Sequence, residues 1–197
     1  VVVTGAAGAL TGALSKYLAA QGARLVLLGR TEGKLKKLLS EISGDSPDSA
    51  YFTCDVTDKS SLESANEKIL AKFGRIDALI NGAGGNMPGA VIDPSQSFFD
   101  LDFGQWRSVM DLNLGGVLLS TLAFAKVFEK QKRGAIVNFS SMAAQSALTR
   151  VLGYSNAKAG IDNLTKWLAV EFAKKIGEGV RVNAIAPGFF IGEQNRR

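Results

Sequence analysis

The sequence predicts a doubly wound parallel α/β fold, and three observations carry that expectation. Six short apolar runs, rich in β-branched residues, alternate with stretches of helical periodicity, which is the pattern of strand–helix–strand crossovers. Two of these runs, Val1–Val3 and Leu25–Leu28, are apolar throughout instead of alternating, as strands covered on both faces are. The first run passes at once into a glycine-rich turn and a helical stripe, an arrangement that leaves backbone amides free at a helix N-terminus. Since such crossovers are nearly always right-handed, the expected strand order is 3-2-1-4-5-6.

Taken in order, Val1–Val3 is the first strand and Thr4-Gly5-Ala6-Ala7-Gly8-Ala9-Leu10-Thr11-Gly12 the turn, with Ala9, Leu10, Ala13, Leu14, Tyr17 and Leu18 as the stripe of the first helix. Arg24–Leu28 reads as a second strand ending in Gly29-Arg30, and a helix spans Thr31–Ile42. In dinucleotide folds an acid about 20 positions after the glycines holds the adenosine ribose, while a nearby Arg suits a 2′-phosphate. Gly29 stands in the acid's place and Arg30 follows, which favours NADP(H) over NAD(H). Tyr51–Cys54 is the third strand, closed by Asp55-Val56-Thr57-Asp58, where Thr57 or Asp58 suits a helix cap. A charged amphipathic helix over residues 60–73 leads to the fourth strand, Ile76–Ile80, and the turn Asn81-Gly82-Ala83-Gly84. The next stretch, Gly85 to Gln105, holds two of the four prolines and leaves the carboxyl edge of the sheet, where open α/β sheets bind ligands. One long apolar helix is expected over Trp106–Lys130, with Asn113 in its middle. Gly134–Phe139 is strand five, the helix around Tyr154 runs to Lys175, and Val180–Ala186 is strand six before Pro187-Gly188.

Composition narrows the function. With 197 residues, 46% of them hydrophobic, the chain suffices for one domain with a real core, so residues 1–197 are read as a single domain. Histidine is absent, which removes His-based triads and most metal-ligand patterns, and no metal site is expected. The one cysteine, Cys54, excludes an internal disulfide and fits a reducing cytoplasm. No apolar run approaches the ~18 residues of a membrane span, and no basic-then-apolar leader precedes the first strand. A net charge of +5 permits anionic partners, but Lys34, Lys36 and Lys37 alternate with leucines at helical spacing, the pattern of a solvated helix face. Neither a basic stripe nor an aromatic platform for nucleic acid is present.

The candidate chemistry lies at Tyr154 and Lys158. Four residues is slightly more than a helical turn, so both side chains project from one face. An ammonium within ~4–6 Å of a phenol favours the phenolate, and a phenol so placed can give a proton to a carbonyl or take one from an alcohol. Small residues surround the lysine, where a flat ligand needs room.

Together these motifs resemble the short-chain dehydrogenase/reductase family, with its Rossmann-like fold, whose serine lies 13 residues before the tyrosine; here that is Ser141. The resemblance implies Tyr154 as proton donor and acceptor, Lys158 as its tuner and holder of the nicotinamide ribose, Ser141 as hydrogen-bonding partner of the reacting oxygen, and Asn113 as the residue that opens its helix and supports a proton relay. For the cofactor it implies Thr4, Gly5, Gly8, Ala9, Leu10, Arg30, Asp55, Val56, Asn81, Ala83, Gly84, Pro187 and Gly188. Two departures stand out: the family's Thr-Gly-x-x-x-Gly-x-Gly has Ala9 and Thr11 at its second and third glycines, and its Asn-Asn-Ala-Gly turn has Gly82 in second place. A Thr often found four residues after the Pro-Gly turn is replaced by Gly192. The family's seventh strand and final helices have no counterpart in this sequence.

For substrate, the segments around Asn86, around Phe98-Phe99 and after Pro187 look like the family's sugar-acid branch, with D-fructuronate and D-mannonate as the implied pair. Asn86, Ser141, Gln145, Tyr154 and Phe189 are the expected substrate contacts. Gln194 and Asn195 add hydrogen-bonding groups, and Arg150, Arg196 or Arg197 can hold a carboxylate. A 3-oxoacyl-carrier-protein reductase, a gluconate 5-dehydrogenase and a non-catalytic dinucleotide sensor are the alternatives. The helices around Val117–Phe128 and Ile161–Phe172 are apolar on more than one face, and the resemblance implies that they pair copies into a homotetramer.

Overall fold

The computed structural model describes residues 1–189. Its centre is a six-stranded, wholly parallel sheet in the order β3-β2-β1-β4-β5-β6, as the alternating pattern predicts. The strands are β1 (Val2–Thr4), β2 (Val26–Gly29), β3 (Ala50–Thr53), β4 (Ala78–Asn81), β5 (Gly134–Phe139) and β6 (Val180–Ile185). The helices are α1 (Ala9–Ala20), α2 (Glu32–Ile42), α3 (Lys59–Phe73), α4 (Phe103–Met110), α5 (Gly116–Phe124), α6 (Val127–Gln131) and α7 (Leu152–Lys175).

Successive strand side chains point to opposite faces, and both faces of the central strands are covered, while β6 buries Val180 and Val182 and exposes Arg181 and Asn183. Val2, Val26, Leu28, Leu79 and Ile136 join one buried cluster with α3, α5 and α7, reaching to Phe124 and Phe128. Val3, Leu25, Leu27 and Ile80 join the other with Leu35, Leu38 and Ile42 of α2. This is why Val1–Val3 and Leu25–Leu28 read as unbroken apolar runs.

The expected long helix over residues 106–130 is instead three helices and a π-turn. It starts earlier, because Asp102 caps α4 by accepting from the amides of Gly104 (2.7 Å) and Gln105 (3.1 Å). At Asp111–Gly115 the helix widens into a π-turn. The cause is Asn113, whose Nδ2 donates to the Val109 carbonyl at 2.9 Å and so takes the acceptor that its own amide would use in an α-helix. A further break at Ala125-Lys126 separates α5 from α6.

Candidate active site

β1 ends in Thr4, and Gly5 turns the chain with φ +61°, where a Cβ would lie 2.6 Å from the Ala83 Cα. Gly8 caps α1, whose first turn carries no acidic side chain, and Gly8 and Ala9 are exposed. The amides of Ala9, Leu10 and Thr11 have no acceptor within the helix, so they and the helix dipole face solvent as an anion site. Of the residues expected to cradle a phosphate, Ala9 and Leu10 have free amides, whereas the Gly8 amide donates to the Gly5 carbonyl at 2.9 Å.

Other cofactor residues from the sequence stand differently. The Thr4 hydroxyl is buried: it donates to the Ile80 carbonyl (3.4 Å) and accepts from the amides of Gly82 (3.1 Å) and Ala83 (3.2 Å), so it staples β1 to the turn after β4. Asn81 is buried likewise, donating to Asn138 Oδ1 (2.9 Å) and Thr121 Oγ1 (3.2 Å), while Asn138 donates to Thr165 Oγ1 (2.9 Å). Val56 packs in the core near Gly116, leaving only its backbone for a ligand. These three side chains hold the sheet edge in place. Asp55 accepts from the amide and hydroxyl of Thr57 (2.9 and 2.7 Å), and Asp58, not Thr57, caps α3. Arg30 is exposed beyond Gly29 at the end of β2, and among the described residues it forms no ion pair.

At the other half of the sheet edge, Lys158 is 4% exposed and donates to the Phe139 carbonyl at 2.7 Å. Its Nζ lies 5.3 Å from the centre of the Tyr154 ring. Burial pulls its pKa from 10.5 down to about 8, with Asp162 opposing the shift. Gly84 leaves room beside Lys158 and Asn113: a Cβ there would lie 2.6 Å from Asn113 Oδ1 and 3.6 Å from Lys158 Nζ. Asn113 itself exchanges hydrogen bonds with Gly85, donating to its carbonyl at 2.8 Å and accepting from its amide at 3.0 Å. Ser141 caps the short 3₁₀ turn Met142–Ala144 by accepting from the Ala143 amide (3.1 Å), and α7 packs on that turn. The Pro187 carbonyl accepts from the Met142 amide at 3.1 Å, which brings Pro187 and Gly188 to the same mouth. Trp106 lies against Gly153 and donates to Asn156 Oδ1 at 3.1 Å, setting the start of α7 beside Tyr154.

Among the expected substrate contacts, Asn86, Gln145 and Phe189 are exposed around this mouth and Tyr154 is half-buried. Arg150 is a correction: its φ is +74°, its Nε donates to the Ile92 carbonyl (3.2 Å) and its guanidinium lies 3.9 Å from Asp93, so it clasps the loop after β4. Gly192, Gln194, Asn195, Arg196 and Arg197 fall outside the described residues. Sequence reasoning passed over Asn138, the one polar residue within the β5 run, whose position among apolar neighbours is the signal that marks it.

An amide-lined helix end and a buried lysine beside a tyrosine, on one carboxyl edge of a parallel sheet, suit a dinucleotide and a proton transfer beside it. The comparisons agree. The short chain dehydrogenase family profile matches residues 1–196. The Bacillus subtilis (strain 168) protein described as uncharacterized oxidoreductase UxuB is 44% identical over 98% of this chain and 72% of its own length. A crystal structure of a Haemophilus protein provisionally designated a D-mannonate oxidoreductase, with bound NAD, superposes with a TM-score of 0.89 at 39% identity, over 98% of this chain and 72% of that one. An actinorhodin polyketide ketoreductase variant with NADPH superposes at 0.88 with 27% identity, over 98% and 71%. The chain belongs to the short-chain dehydrogenase/reductase family, and it is an oxidoreductase using a nicotinamide dinucleotide. Among the described residues no helix is long and apolar enough to cross a membrane.

Proposed function

We propose that the protein interconverts a carbonyl and a secondary alcohol on a sugar acid, with D-fructuronate and D-mannonate as the pair. The observation that carries the chemistry is the placement of Lys158, buried and one helical turn from Tyr154, beside Gly84. The dinucleotide supplies the hydride. Tyr154 gives its phenolic proton to the carbonyl oxygen, or takes it back in the reverse direction; Lys158 steadies the phenolate and holds the ribose; Ser141 hydrogen-bonds the reacting oxygen. Asn113 keeps the π-turn open beside the lysine for a proton path.

The sugar-acid assignment rests on Asn86 and Gln145 at the mouth, amides suited to several hydroxyls, and on the likeness to the Haemophilus protein. Arg30, with no carboxylate at Gly29 to repel a phosphate, supports NADP(H) ahead of NAD(H). Exposed Leu118 and Leu122 on α5, with Trp167 and Val170 on α7, support pairing of these helices in a homotetramer, read by mass at micromolar concentration. The buried free thiol of Cys54 suits a reducing cytoplasm. Steady-state rates with D-fructuronate, 5-ketogluconate and an acetoacetyl thioester test the substrate. D-fructuronate is expected to lead, and a thioester preferred by more than about tenfold in kcat/KM, ~1.4 kcal/mol, would assign the protein to acyl reduction.

A further inference from the structure

Two of the places where the sequence departs from the family's pattern touch each other. Thr11 stands at the third glycine of the phosphate turn and Gly82 at the second asparagine of the turn after β4. Thr11 is 3% exposed. A Cβ on Gly82 would fall 2.2 Å from the Thr11 Cγ2 methyl, far inside contact distance. The φ of Gly82 is not positive, so the methyl, rather than backbone conformation, is the main obstacle to a side chain there. The other arm of Thr11, its Oγ1, donates to the Gly5 carbonyl at 2.5 Å and would lie 2.9 Å from a Cβ on Gly8. One threonine therefore fills the space that Gly82 vacates and ties the start of α1 to the residue that turns the chain.

We propose that Thr11 and Gly82 are a matched pair, in which Thr11 is the positioning residue that fixes the phosphate-facing amides of Ala9 and Leu10 against the turn carrying Gly84. This rests on the dinucleotide reading above. Its logic is steric at one end and hydrogen-bonded at the other, so the two arms separate by substitution. Thr11→Ser keeps the hydroxyl and removes the methyl. Thr11→Val keeps a methyl and removes the hydroxyl. In a Thr11→Ser or Thr11→Gly background, Gly82→Ala then meets chiefly the Thr4 carbonyl oxygen at 3.1 Å, which asks for a shift of a few tenths of an ångström.

The test is dinucleotide affinity by fluorescence titration of the whole protein, with thermal midpoints measured in parallel. Wild type binding NADPH or NADH establishes the underlying reading, and a wild type that binds neither removes that reading and this one together. Given binding, Gly82→Ala is expected to weaken Kd about tenfold or more in the wild-type background and less than threefold alongside Thr11→Ser. Thr11→Val is expected to weaken Kd about fivefold with kcat at saturating cofactor retained, a split that general loosening of the fold would not produce. Equal losses from Gly82→Ala in both backgrounds, or Thr11 variants that shift thermal midpoints and leave Kd unmoved, would overturn the proposal. If Gly82→Ala fails to fold, the Thr11→Val and Thr11→Ser pair decides by the same Kd readout.

Discussion

The two halves of the sheet's carboxyl edge are built on different physics. On the β1 side the cradle is made by small residues and free amides, and its shape is set by what does not fit: no Cβ at Gly5, none at Gly82. On the β5 side the site is made by buried polar side chains: Lys158 and Asn113 are tied to backbone, at Phe139 and at Gly85 and Val109, and Asn138 to the side chains of Asn81 and Thr165. The first half tolerates exchange of one filler for another, as Thr11 for glycine shows. The second half tolerates little, because each removed partner leaves a buried polar group unpaired, at a cost of about 1–3 kcal/mol.

Lys158→Met is the exception on that side: it should lower turnover by about 10³-fold yet leave the fold no less stable at pH 7, because removing a buried ammonium offsets the lost partner of the Phe139 carbonyl. The sign follows from linkage. The folded pKa, about 8, lies below the ordinary 10.5, so below pH 8 the buried ammonium is a cost, and that cost is relieved as pH rises from 8 to 10.5. Urea titrations should show the wild type gaining on the variant across that window by on the order of 3 kcal/mol, from ~1.36 kcal/mol per pKa unit. A flat difference between pH 8 and 10.5 would mean that burial does not hold the lysine's pKa down.

Next in size is Asn138→Leu, which touches no reacting group. It strips Asn81 and Thr165 of a partner and should cost about 1–3 kcal/mol of stability, while turnover of the folded fraction stays within threefold. An unchanged denaturant midpoint would show the polar network to be dispensable. On the cradle side the effects should be smaller: Arg30→Ala should reduce the preference for NADPH over NADH by about tenfold, as the loss of one charge-assisted hydrogen bond does, with no change in thermal midpoint. Equal loss of affinity for both dinucleotides would place Arg30 away from the 2′-phosphate.

The same contrast explains what was legible in the sequence. The six strands and their order follow from period and alternation, and Tyr154 and Lys158 from a spacing that a helix turns into proximity. The π-turn at Asn113 was invisible to periodicity, because it depends on a side-chain amide outcompeting a backbone one for Val109. Thr4, Asn81 and Val56 occupy positions within cofactor motifs, yet burial turns their side chains inward, and motif position carries no information on which way a side chain points. Arg150 was expected to hold a carboxylate, but its Nε donates to the Ile92 carbonyl, a contact that no spacing in the sequence marks.

The central claim is that Tyr154 moves the proton in a carbonyl–alcohol interconversion and does little to hold the dinucleotide. Tyr154→Phe keeps the ring against Lys158 and removes only the hydroxyl, so turnover with D-fructuronate, followed by NAD(P)H absorbance, should fall by about 10³-fold or more while dinucleotide Kd stays within about threefold. Retained turnover in that variant would contradict the account at its root.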